Sequence, residues 1–182
     1  MSYLSSPEKE REILHLESRR KIYLLVKQFS GCSFHDLKRE SSIAAGTLRY
    51  HLHYLAKYGV ITAQKDGNKI RYFAKDIAEK DRKVLVLLRQ KKSRHIVLQI
   101  LNKKACSQRE LVQILGVAPS TMSEYLAKLV KNQVLNAVKK EGGLQYSLAM
   151  EEAEIIGVLI TYKESFLDKL VDQTIDMWAF RV

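Results

Sequence analysis

Residues 32–73 read CSFHDLKRESSIAAGTLRYHLHYLAKYGVITAQKDGNKIRYF, and residues 106–147 read CSQRELVQILGVAPSTMSEYLAKLVKNQVLNAVKKEGGLQYS. Laid over each other at an offset of 74 residues and extended upstream, they give a gapless match of residues 20–73 with 94–147, in which 15 of 54 positions are identical. The identities include Arg20/Arg94, Ile22/Ile96, Leu24/Leu98, Cys32/Cys106, Ser33/Ser107, Leu37/Leu111, Thr47/Thr121, Leu52/Leu126, Leu55/Leu129, Val60/Val134, Lys65/Lys139 and Tyr72/Tyr146. Core-type positions are kept while surface positions drift, so one small fold is expected twice in the chain.

Each copy has the same order of elements. Ile22, Leu25, Val26 and Phe29 recur at helical spacing, as do Ile96, Val97, Ile100 and Leu101. A second helix opens with a hydroxyl followed three residues later by a carboxylate, Ser33 with Asp36 and Ser107 with Glu110, the pattern of a capping box. It ends near Ser41 and Gly116. A third helix begins at Ala45 and at Pro119, where proline suits the first turn. Two β-branched or aromatic runs around Asp66-Gly67-Asn68-Lys69, and again around Gly142-Gly143, predict a β-hairpin after the third helix. A short helix, a tight turn, another helix and a hairpin form a winged helix-turn-helix. The fold class expected is therefore mainly α with small β-hairpin wings, in tandem.

Composition limits what such a chain does. Of 182 residues, 46% are hydrophobic and 28% charged, proportions of a folded globular protein. The longest apolar run, Ile155–Ile160, is far shorter than the roughly 18 residues of a membrane span, and the N-terminus lacks a secretory signal, so a cytoplasmic protein is expected. Net charge is +11 and uneven: residues 1–90 carry 18 basic and 10 acidic side chains, residues 91–148 carry 10 and 3, and residues 149–182 carry 3 and 7. A basic body with an acidic tail points to a polyanion partner for the body.

Thr47-Leu48-Arg49-Tyr50-His51-Leu52, with Leu55 and Gly59-Val60-Ile61, resembles the recognition helix and wing entry of the ArsR-like winged-helix regulators. The tandem arrangement, over roughly residues 15–148, is similar to archaeal transcriptional regulators with two helix-turn-helix domains. The resemblance implies double-stranded DNA as partner. The clustered Cys and His ligands of ArsR-type metal sensors are missing, so neither a metal nor a cofactor is expected.

At about 100° per residue, Leu48, Leu52 and Leu55 share one inward arc of the third helix, and the opposite arc presents Gly46, Arg49, Tyr50, His53 and Lys57, with Thr47 and Tyr54 at its edge. Arginine bridges guanine O6 and N7, threonine bonds phosphate or touches a thymine methyl, and glycine permits close approach. Tyr54 has a plainer reading as packing beneath the wing. The second copy offers Ser120, Thr121, Ser123, Lys128 and Lys131, but Glu124 replaces Tyr50 mid-face, so the first copy is expected to dominate. Wing residues Lys65, Asn68, Lys69 and Arg71, and Lys139 and Lys140, are expected on the phosphate backbone.

The domains expected are 1–75 and 92–150, joined by a helical linker at 76–91 that fixes the separation of the two recognition helices. A single long C-terminal helix over 151–182 would carry Ile156, Leu159, Ile160, Leu167, Leu170, Val171 and Trp178 as a stripe for a homodimer. The alternative for the tail is a helix folded back on its own domain. Cys32 and Cys106 read as core fillers at a helix entry, and His51 and His53, two apart, cannot easily share a metal. No catalytic motif is found, so an enzyme is not expected. The function expected is a sequence-specific DNA-binding transcriptional regulator. The rival is a tandem winged-helix scaffold in a chromosome-segregation or polymerase-associated complex.

Overall fold

The computed structural model describes residues 6–141, 143–166 and 169–179. Gly142 and Leu167, assigned above to a turn and to the tail stripe, lie outside the described residues, as does the side chain of Leu170. The chain divides into two compact units, Met1–Arg82 and Lys83–Val182.

In the first unit α1 (Ser6–Ile13) and α2 (Glu17–Gln28) precede β1 (Cys32–Ser33), α3 (Phe34–Glu40), α4 (Ala45–Lys57), β2 (Ile61–Asp66) and β3 (Lys69–Ala74). The core is built from Ile22 and Val26 of α2, Leu37 of α3, Leu48, Leu52 and Leu55 of α4, and Val60, Ile61 and Tyr72 of the wing. The capping box at the start of α3 is formed: the Asp36 backbone N–H donates to Ser33 Oγ at 3.3 Å, and the Ser33 backbone N–H donates to Asp36 Oδ2 at 2.8 Å. The hairpin is wider than the expected two strands. Cys32 and Ser33 pair with Tyr72 and Arg71, giving an antiparallel sheet in the order β1-β3-β2.

The second unit repeats this order with α6 (Lys91–Lys103), β4 (Ala105–Ser107), α7 (Gln108–Leu115), α8 (Pro119–Lys131), β5 (Leu135–Lys140) and β6 (Gly143–Leu148). Its sheet runs β4-β6-β5, and Ser107 with Glu110 forms the second capping box.

One backbone device turns the third helix of each unit into its wing. After α4, the Gly59 N–H donates to Ala56 O at 3.1 Å and the Val60 N–H to Leu55 O at 2.9 Å; after α8, Gln133 and Val134 donate to Val130 and Leu129 at 3.0 Å each. This is a Schellman ending, which satisfies the last carbonyls and requires a left-handed residue just beyond the cap. Gly59 supplies it at φ 68°, whereas the second unit forces Gln133 to φ 58°.

Two expectations are corrected. The helical linker expected over 76–91 is shorter, α5 (Glu79–Leu88), with Val84, Leu85, Leu87 and Leu88 buried. The chain leaves it at Arg89, and Arg94 Nη1 donates to the freed carbonyls of Leu88 at 2.6 Å and Arg89 at 3.4 Å, closing a helix end that would otherwise be unsatisfied. Ser93 lies buried within α6.

The single long C-terminal helix does not form either. The tail breaks after α9 (Glu152–Thr161) at Tyr162, passes a 3-10 turn at Lys163–Ser165, and resumes as α10 (Lys169–Ala179), which packs on α6 and α9. A straight helix would leave half of its apolar stripe in water. Folding back buries Ile155, Ile156, Val158 and Leu159 of α9 together with Phe166, Val171 and Thr174. The Arg94 guanidinium lies 5.4 Å over the Phe166 ring, and Lys163 pairs with Asp172 at 3.0 Å. Among the described residues, no helix is long and apolar enough to cross a membrane.

Candidate nucleic-acid interface

On α4 the inward arc holds Leu48, Leu52 and Leu55 as expected, and also His51. The outward arc exposes Gly46, Thr47, Arg49, Tyr50, His53 and Lys57 together. The Arg49 guanidinium lies 5.1 Å over the ring of Phe34, the first residue of α3, so the neighbouring helix supports it from one side. Tyr50 is 58% exposed. It starts a ladder of tyrosines one helical turn apart, with ring centroids 6.3 Å from Tyr50 to Tyr54 and 4.5 Å from Tyr54 to Tyr58.

Tyr54 is held in that ladder beneath the guanidinium of Arg19, 3.9 Å from its centroid, while Lys9 and Lys57 lie 5.6 and 5.9 Å from the Tyr58 ring. Arg19 was not singled out from the sequence. An arginine in the basic run Arg19-Arg20-Lys21 at the start of α2 carries no pattern that reveals a partner 35 residues away.

His51 is 6% exposed, and its Nδ1 has no hydrogen-bond partner among the described residues. Burial holds its pKa below the ordinary histidine value, and the charge of Arg19 adds to the effect. It is therefore a neutral core residue, and only His53 of the adjacent pair faces outward. Cys32 and Cys106 are fully buried, and burial, with the nearby Glu110 charge, pushes the Cys106 thiol up and away from reactivity.

The first wing exposes Lys65, Asn68 and Lys69. Arg71 is not brought to that open surface. Its side chain is 12% exposed, its Nε donates to Asp66 Oδ2 at 3.1 Å, and its Nη1 lies 4.0 Å from Asp36 Oδ2. The arginine thus ties the wing to the capping box of α3, with its charge already matched.

In the second unit Ser120, Ser123, Glu124 and Lys131 are exposed on α8, Thr121 and Lys128 are half-buried, and Lys139 and Lys140 are exposed on β5. Ser123 is engaged within the fold: Gln108 Nε2 donates to its Oγ at 2.7 Å and to Pro119 O at 3.1 Å, and the hydroxyl donates to Pro119 O at 3.0 Å. Gln108 lies in the first turn of α7, and nothing in its sequence context marked it as the tether of two helices. With Ser123 bonded and Glu124 beside it, this face offers fewer free donors than α4 does. Among the described residues, no three His, Cys, Asp or Glu side chains are grouped so as to hold a metal ion.

Residues 16–85 match the model of the family HTH_HVO_0163_N, an N-terminal HTH domain. The chain is also similar to a protein of Methanocaldococcus jannaschii named as the uncharacterized HTH-type transcriptional regulator MJ1398, with 26% identity over 133 residues, 73% of this chain and 33% of that protein. The chain thus spans about a third of the length of that relative.

Proposed function

We propose that this chain is a sequence-specific double-stranded DNA-binding transcriptional regulator, without enzymatic activity, acting in the cytoplasm on promoter DNA. One observation carries the reading: α4 presents Thr47, Arg49, Tyr50, His53 and Lys57 on one exposed, acid-free face, in the unit whose sequence matches an N-terminal HTH domain. In this reading α4 enters the major groove, with Arg49 on a base edge, and Lys65, Asn68 and Lys69 contact the backbone. Residues 1–75 and 92–150 act as two modules joined through 76–91. The second contributes weaker backbone contacts through Lys128, Lys131, Lys139 and Lys140, because Glu124 repels phosphate at the middle of α8.

A two-fold dimer is part of the proposal, since two-fold proteins match palindromic sites. Of the tail stripe, Ile156, Leu159 and Val171 are buried within the second unit, whereas Ile160 stays exposed. Light scattering of the full chain measures the assembly.

Selection of binders from random duplex DNA at several salt concentrations tests the function. The expected result is an enriched sequence whose affinity falls steeply with salt. A purified chain that enriches no sequence and binds no duplex even at low salt overturns it.

A further inference from the structure

Each wing carries an exposed apolar side chain near its tip, beside at least one lysine. Ile70 is 50% exposed and Leu144 is 49% exposed. They occupy matching positions of the repeat, and each stands directly across the ladder from a lysine, Lys65 with Ile70 and Lys139 with Leu144. Strand alternation puts Ile70 on the same face as Tyr72, and Leu144 on the same face as Tyr146, and both tyrosines are buried nearer the body. This face is core at its base and open at its tip. In the first wing the open part is a shallow cleft lined by Ala63, Lys65, Asn68, Lys69 and Ile70.

Phosphate binding requires only the cations. A large aliphatic side chain adds nothing to it, and single exposure alone is unremarkable. Its presence at the same ladder position in two copies that share only 15 of 54 residues calls for a use of its own.

We propose that Ile70, and Leu144 by the same geometry, are apolar contacts in the minor groove of duplex DNA, flanked by lysines on the phosphates, and that they select A·T over G·C pairs beneath the wing. The inference rests on the DNA-binding reading above. Its chemistry is that of the groove floor: guanine carries an N2 amino donor there, whereas A·T pairs show only acceptors. An aliphatic group pressed on that floor strips water from the amino donor and gives it no partner, an unmade hydrogen bond that disfavours G·C. Fewer protruding groups in A·T pairs also let the side chain sit deeper.

The test uses the full chain and random-sequence duplex pools of about 30 base pairs, one made with guanine and one with inosine, which lacks only the minor-groove amino group. The expected result is roughly tenfold tighter binding to the inosine pool, falling to about twofold or less in Ile70→Ala/Leu144→Ala. Ile70→Leu should keep the preference, and Ile70→Lys should raise affinity for both pools while weakening it. Lys65→Ala should weaken binding to both pools equally and lower the salt slope by about 1. Circular dichroism checks that the variants fold. Binding to duplex DNA without an inosine preference, or a preference unchanged in the double alanine variant, overturns this inference alone. No binding to either pool overturns it together with the proposed function.

Discussion

Gln133→Gly should stabilise the protein, and Gly59→Ala should destabilise it, although the two positions correspond in the repeat. Both residues follow the cap of the third helix of their unit, in the left-handed region, at φ 58° and φ 68°. A Cβ added at Gly59 would meet nothing within 4 Å, so its cost there is purely that of the backbone. A non-glycine residue pays about 1–2 kcal/mol for left-handed geometry, and glycine loses roughly 0.5–1 kcal/mol more conformational entropy on folding. The difference, about 0.5–1 kcal/mol, is the expected gain for Gln133→Gly and the expected loss for Gly59→Ala. In a unit of this size it corresponds to a shift in Tm of about 2–8 °C in opposite directions. Far-UV circular dichroism of thermal unfolding reads both. Gln133→Ala serves as control, because alanine keeps the strain and should leave Tm within about 2 °C. A fall in Tm for Gln133→Gly, or an equal gain for Gln133→Ala, would refute the backbone explanation.

The buried His51 makes the first unit acid-sensitive. Its folded pKa lies below the ordinary value of about 6.5, so in the window just below pH 6.5 the unfolded chain binds a proton that the folded chain does not. Stability is then complete above about pH 6.5 and falls as pH drops through that window, by at most about 1.4 kcal/mol per pH unit. Urea unfolding at several pH values should show this slope reduced in His51→Leu, and an identical slope would contradict it. Arg49→Ala should cost roughly 1–3 kcal/mol at one base position and relax specificity there, as read by binding to a panel of single-base variants of the selected site. Equal loss on every sequence would exclude a base-reading role. Lys69→Ala should weaken binding to all sequences and lower the slope of log affinity against log salt by about 1, and an unchanged slope would remove Lys69 from the phosphate contacts.

The local rules of the fold were legible in the chain itself. Ser33 with Asp36 and Ser107 with Glu110 announced two helix starts, because a cap is made by residues three apart. The spacing of Leu48, Leu52 and Leu55 fixed which side of α4 faces inward, because helical geometry repeats every 3.6 residues. The 74-residue repeat then supplied the tandem order. What depends on distant neighbours was not legible. Arg20 and Arg94 are the same residue at the same place in the repeat, yet Arg20 is exposed and Arg94 is buried, bonded to the end of α5 and covered by Phe166. Arg71 and Arg49 look equivalent as cations, but Asp66 and Asp36 take the first and leave the second on the open face. The tail's periodicity continues through the break at Tyr162, and only the surfaces of α6 and α9 make folding back better than running on. Spacing along the chain determines which side of an element is apolar. Which partner covers that side, and which charges are left for a ligand, is decided by contacts between residues far apart in sequence.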